Sequence, residues 1–123
     1  MKKILVIEDE FSYLKLLEIE LQSHGYEVIK ANDGRKGLEL AKKHHPDLIL
    51  LDIRMPEMDG MTVLQELRKD EYGRTAKVIL LTNLEPSDDM IKNVIIGKPS
   101  YYFVKSDIKL SDLLEKVAEL LSA

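Results

Sequence analysis

Four apolar runs in this chain each end on a polar side chain that could do chemistry. Ile4-Leu5-Val6-Ile7 leads into Glu8-Asp9, and Leu48-Ile49-Leu50-Leu51 into Asp52. Val78-Ile79-Leu80-Leu81 leads into Thr82, and Tyr101-Tyr102-Phe103-Val104 into Lys105. In a parallel α/β sheet the carboxyl ends of the strands form the ligand crevice. Three carboxylates, one hydroxyl and one ammonium would then converge on one spot. Such a set suits a divalent cation together with a phosphoryl group.

Charge arithmetic supports that reading. Two unit charges ~4 Å apart repel by about 4 kcal/mol at an effective dielectric of ~20. Three ionised carboxylates in one crevice therefore call for a cation between them. Mg²⁺ is the candidate, because it takes oxygen ligands and often combines one or two carboxylates with a phosphate. No His or Cys stands at these strand ends, which argues against zinc. Thr82 and Lys105 are donors, so both suit an anionic oxygen. An Asp carboxylate can itself be the nucleophile and become an aspartyl-phosphate, with positioning and charge neutralisation supplying most of the catalysis. Taken singly, each feature is commonplace: an acidic strand end, a turn Thr, an exposed Lys. The signal is their joint placement.

The elements needed to position these groups are legible in the pattern. Strand-like runs alternate with helical ones five times, as βα units of a parallel sheet do. The first strand, Lys3 to Ile7, precedes a helix from about Phe11 to His24 with Leu14, Leu17 and Leu21 on one face and Gly25 as its stop. Tyr26 to Ala31 is less uniformly apolar and reads as an edge strand. Asp33 is placed to cap a short helix carrying Leu38 and Ala41 that ends before Pro46. Asp47 to Leu51 is apolar on both faces, as a central parallel strand should be. The loop from Ile53 to Met58 leads to a helix capped by Asp59, with Met58 and Val63 spaced as a hydrophobic staple. After the fourth strand, Lys77 to Leu81, Ser87 should cap a helix with Met90, Ile91, Val94 and Ile95 inward and its stop at Gly97. Tyr101 to Val104 is the fifth strand. The last helix, about Leu110 to Leu121, carries Leu110, Leu113, Leu114, Val117 and Leu121 at three- and four-residue spacing.

Composition narrows the class further. A chain of 123 residues is one domain of ordinary size, expected to bury roughly two-thirds of its unfolded surface. It has no Cys, which excludes disulfides and thiolate metal sites and fits a reducing compartment. The opening Met1-Lys2-Lys3-Ile4 is too soon interrupted by acids to be a signal peptide, and no run approaches the ~18 apolar residues of a membrane span. A soluble, cytoplasmic protein without membrane insertion is expected. The net charge of −4 and the lack of a basic stripe argue against direct nucleic-acid binding. The densest basic run, Lys42-Lys43-His44-His45, falls at a helix end where cations favour the dipole.

These residues resemble a response-regulator receiver domain of the single-domain, chemotaxis-regulator kind. The resemblance spans the whole chain and rests on Glu8-Asp9, Asp52-Ile53-Arg54-Met55-Pro56 with Asp59-Gly60, Thr82 and Lys105. It implies one receiver domain over residues 1–123 with no output domain, in a flavodoxin-like (βα)5 fold whose parallel sheet has the order 2-1-3-4-5. It implies Asp52 as the phosphoacceptor, supplied by a histidine kinase or phosphotransfer protein. Mg²⁺ would be held by Asp9, Asp52, the Arg54 backbone carbonyl and Glu8, the last largely through water. Lys105 would pair with the carboxylate and then the phosphoryl oxygens. Thr82 would move to bond the phosphoryl group, and Tyr102 would swing inward after it, biasing a two-state element. The face of the fourth helix, fifth strand and fifth helix would then change its affinity for a downstream protein. The domain would be a monomer or a phosphorylation-dependent dimer, and no enzyme beyond its own phosphorylation and dephosphorylation. Exposed residues of the first helix such as Ser12, Tyr13 and Lys15 would govern kinase choice.

Several positions depart from that family's pattern. Ser106 replaces the usual Pro after the Lys, so a cis bond is not expected there, and Ser106-Asp107 could cap the last helix instead. Asn83 is larger than the usual small residue after the Thr and would narrow access to Asp52. Arg54 could shield a phosphoryl group, and Leu84 offers little to orient an attacking water, so slow self-dephosphorylation is expected. Gly97-Lys98-Pro99-Ser100 puts a rigid, charged turn beside the output face. Three alternatives are open: a haloacid-dehalogenase-like Mg²⁺ phosphohydrolase, a flavin or nucleotide carrier, and a receiver serving only as an unphosphorylated scaffold. The first would want an Asp-x-Asp motif after the first strand, where this chain has Glu8-Asp9-Glu10. The second would want a neutral phosphate loop there, and this loop is acidic.

Overall fold

The computed structural model describes residues 1–83 and 87–122. Five strands alternate with five helices: β1 (Lys3–Ile7), α1 (Phe11–Ser23), β2 (Glu27–Ala31), α2 (Gly34–His44), β3 (Leu48–Leu51), α3 (Gly60–Lys69), β4 (Val78–Thr82), α4 (Asp88–Gly97), β5 (Tyr101–Val104) and α5 (Leu110–Leu121). All pairings are parallel and the order is β2-β1-β3-β4-β5, the flavodoxin-like arrangement expected. β1, β3 and β4 lie inside the sheet and are buried almost throughout, whereas the edge strands β2 and β5 are largely half-buried.

Side chains alternate across the sheet, so each strand feeds two cores. Ile4, Val6, Leu48, Leu50, Ile79 and Leu81 pack with Leu14, Leu17 and Leu21 of α1 and with Leu113, Val117 and Leu121 of α5. Leu5, Ile7, Ile49, Leu51, Val78 and Leu80 pack with Ala41 of α2 and with Val63, Leu64 and Leu67 of α3, and Met90 and Val94 of α4 join them. Asp33, Asp59 and Ser87 cap α2, α3 and α4, each accepting a backbone N–H from three residues on. Met58 and Val63 share one apolar cluster across the α3 cap, as a staple would.

Three local readings change. Ile91 and Ile95 were expected inward, yet they are 41% and 67% exposed. The buried face of α4 runs through Met90, Val94 and Gly97 instead, and an added Cβ at Gly97 would sit 2.4 Å from Leu64 Cδ2. Because Gly97 is spent on that close approach, the left-handed residue ending the helix is Lys98 (φ 49°). Ser106-Asp107 does not cap α5. Lys109 holds the cap position without a side-chain bond, while the Asp107 and Ile108 N–H groups turn back onto the Val104 carbonyl. No peptide bond among the described residues is cis.

Candidate functional site

Backbone bonds bring the strand ends together before any side chain acts. Asp52 N–H donates to the Ile7 carbonyl at 3.0 Å and Lys105 N–H to the Thr82 carbonyl at 2.7 Å. The first bond fixes the end of β3 to that of β1, and the second fixes the end of β5 to that of β4. Gly60 N–H donates to the Ile53 carbonyl at 2.9 Å, folding the loop after Asp52 back on itself. Only a Gly fits there, since a Cβ would lie 2.2 Å from the Asp52 carbonyl oxygen.

Glu8, Asp9 and Asp52 each offer a carboxylate oxygen, and those oxygens lie within 4.8 Å of one another. Glu8 and Asp52 are buried and Asp9 is exposed. Lys105 Nζ stands 2.6 Å from Glu8 Oε1 and 3.5 Å from Asp52 Oδ2, with its side chain only 8% exposed. Glu8 Oε2 accepts the Glu10 N–H at 3.0 Å, and Asp52 Oδ1 accepts the Arg54 N–H at 3.2 Å. Burial pushes the Glu8 carboxyl up to about 7; the bonds from Lys105 and Glu10 pull it down, while the Asp52 charge adds to the rise. The donors are all oxygens and the cluster carries more negative charge than one ammonium offsets, which fits a hard cation such as Mg²⁺.

Thr82 is fully buried at the end of β4. Tyr102 sits opposite Leu80 in the sheet, half-buried, its hydroxyl 3.6 Å from Met90 Sδ of α4. Asn83 and Arg54 are exposed beside the cluster's strand ends, and Leu84 lies outside the described residues.

The family model for the response regulator receiver domain matches residues 4–118. This chain belongs to that family. Among curated relatives of the receiver domain, it is 39% identical over 121 residues to the DNA-binding dual master transcriptional regulator RpaA of Synechocystis, covering 98% of this chain and 49% of that one. It is 43% identical over 100 residues to a probable transcriptional regulator of Porphyridium aerugineum, ycf27, covering 81% and 40%. The chain thus spans less than half of these relatives' length. Among solved structures, response regulator TrrA of Thermotoga maritima, in complex with Mg²⁺-BeF, is 37% identical with a TM-score of 0.83, covering 98% of this chain and 100% of that one. A chemotaxis protein of Vibrio cholerae is 29% identical with a TM-score of 0.88, covering 98% and 99%. The domain is accordingly the receiver of a two-component response regulator, a signalling module. Among the described residues, no helix is long and apolar enough to cross a membrane.

One neighbour of the site was misread from sequence. Tyr13, expected exposed with Ser12 and Lys15, is half-buried, and its ring centroid lies 4.5 Å from Lys105 Nζ. Its position four residues before the buried Leu17 was the available signal, since i and i+4 share a helix face.

Proposed function

We propose that this receiver accepts a phosphoryl group on Asp52 from the phosphohistidine of a histidine kinase or phosphotransfer protein, and that the modified domain docks differently through α4, β5 and α5. The observation carrying this reading is Lys105 Nζ, held between Glu8 Oε1 and Asp52 Oδ2 at the buried end of a three-carboxylate cluster. An Asp52 oxygen forms the new bond to phosphorus as the P–N bond breaks, and the electron pair leaves with the donor's imidazole nitrogen. Lys105 already faces the oxygens on which charge accumulates, so little reorganisation is needed. Bound by Glu8, Asp9, Asp52 and the Arg54 carbonyl, with Glu8 acting largely through water, Mg²⁺ would supply the remaining positive charge.

The hydroxyl of Thr82 then donates to a phosphoryl oxygen, and Tyr102 leaves Met90 to turn inward behind it. That exchange couples Asp52 to α4, because Tyr102 contacts a residue of the helix itself. Arg54 shields the phosphoryl group and self-dephosphorylation is slow. The similarity to TrrA, solved with Mg²⁺-BeF, supports both the metal and the acceptor role. The transcriptional roles named for the longer relatives belong to those proteins; the partner read here is a downstream protein.

Intact mass after incubation with acetyl phosphate, with and without Mg²⁺, tests the proposal. A Mg²⁺-dependent gain of one phosphoryl group that disappears in Asp52→Ala is the expected result. No gain in a folded, Mg²⁺-binding protein would point instead to a scaffold receiver.

A further inference from the structure

Lys105 approaches its two carboxylates from one side and meets an aromatic ring on another. We infer that Tyr13 is a positioning residue for phosphoryl transfer, its ring holding the Lys105 ammonium against Glu8 and Asp52; this rests on the phosphoacceptor reading above. A lysine ammonium is a compact charge on a flexible four-carbon stem, so something must hold it in a site that works by fixed charge. Two of its directions are taken by Glu8 Oε1 at 2.6 Å and Asp52 Oδ2 at 3.5 Å. The Tyr13 ring lies 4.5 Å from the same nitrogen, well inside the ~6 Å range of a cation–π contact, which strengthens when the pair is desolvated.

The ring is itself held. Tyr13 stands in the first turn of α1, half-buried, and packs onto the cluster containing Leu14 and Leu17. It follows directly on the loop bearing Glu8 and Asp9, whereas Lys105 follows β5, beyond β3 and β4 in the sheet. The contact therefore spans the crevice from the first βα unit to the last. The phenol stays neutral throughout: burial first, then Glu8, Glu10 and Asp52, push its pKa up to about 12.

The full chain carrying Tyr13→Phe or Tyr13→Leu, beside wild type, tests this by two readouts. In protein labelled with ¹³C-lysine, the Lys105 ε-protons should be shifted upfield by the ring in wild type and Tyr13→Phe, and the shift should vanish in Tyr13→Leu. With acetyl phosphate and saturating Mg²⁺, Tyr13→Leu should be phosphorylated roughly 2- to 30-fold more slowly and Tyr13→Phe at close to the wild-type rate. Mg²⁺ affinity should not fall in any of the three, which separates loss of positioning from damage to the carboxylates. Tyr13→Met is a second ring-free variant should Tyr13→Leu fold poorly. A ring-free variant phosphorylated at the wild-type rate, or an unchanged Lys105 shift in it, overturns the role of Tyr13 alone. A wild type that takes up no phosphoryl group overturns the phosphoacceptor reading, and the positioning role with it.

Discussion

At the scale of single residues, the site is a contest between burial and charge. Glu8 is the clearest case, because its carboxyl rises to about 7 against an ordinary 4.5. A raised carboxyl binds a proton more tightly in the folded than in the unfolded chain. Its contribution to stability is therefore fully present below pH 4.5 and is lost as pH climbs through about 7. Mg²⁺ needs the ionised form, so its affinity should fall as pH drops from 8 to 6, and titration calorimetry at several pH values would show it. Lys105→Met should act in two directions at once. Removing the ammonium leaves Glu8 and Asp52 repelling each other, which lowers stability without metal, yet it also removes a like charge from beside Mg²⁺. The expected outcome is a lower melting temperature without Mg²⁺, tighter Mg²⁺ binding by calorimetry, and phosphorylation slowed by about a hundredfold. Unchanged Mg²⁺ affinity would show that Lys105 does not compete with the metal.

At the scale of elements, close approach decides more than propensity does. A Cβ at Gly60 would lie 2.2 Å from the Asp52 carbonyl oxygen and 2.7 Å from Ile53 Cα, both backbone atoms that cannot turn aside. Gly60→Ala should therefore cost about 1–3 kcal/mol and also displace Asp52. At Gly97 the obstacle is the Leu64 side chain, with Cδ2 at 2.4 Å, so Gly97→Ala should cost less and leave phosphorylation intact. Urea midpoints for the two variants would rank them, and a larger loss at Gly97 would reverse the argument. These elements also show what sequence can reveal. The strand ends were plain, because an apolar run stopping at Glu8, Asp52, Thr82 or Lys105 places the polar group by topology alone. The inner face of α4 was not, because Met90, Ile91, Val94, Ile95 and Ile96 surround much of the helix with apolar side chains and leave no single stripe to choose. The small face at Gly97 settled it, through a contact with Leu64 on another element. The contact of Tyr13 with Lys105 was hidden for a related reason: the two residues lie far apart in the sequence.

At the scale of the molecule, Arg68 joins segments that the sheet alone does not. Its guanidinium donates to the carbonyls of Gly97 at 2.8 Å, Gly73 and Ala76 at 2.7 Å, and Lys98 at 3.1 Å. Those bonds tie the end of α3 to the approach to β4 and to the end of α4. Arg68→Met would leave these acceptors without their donor, and a loss of about 2–4 kcal/mol in urea unfolding is expected. A change under ~0.5 kcal/mol would mean that water replaces the guanidinium without penalty. Nothing in the sequence marks Arg68, since its acceptors are backbone carbonyls and carry no side-chain signature. Mechanically, these bonds make α4 a lever with its fulcrum at the C-terminal end. At 1.5 Å per residue, Met90 stands ~10 Å out along the arm and the Ser87 end ~15 Å. A tilt of ~10° would carry Met90 by ~2 Å and the Ser87 end by ~3 Å, while Gly97 stays in place. Motion of this helix is thus amplified toward the strand ends that hold Thr82 and Asp52, and damped toward its anchored tip.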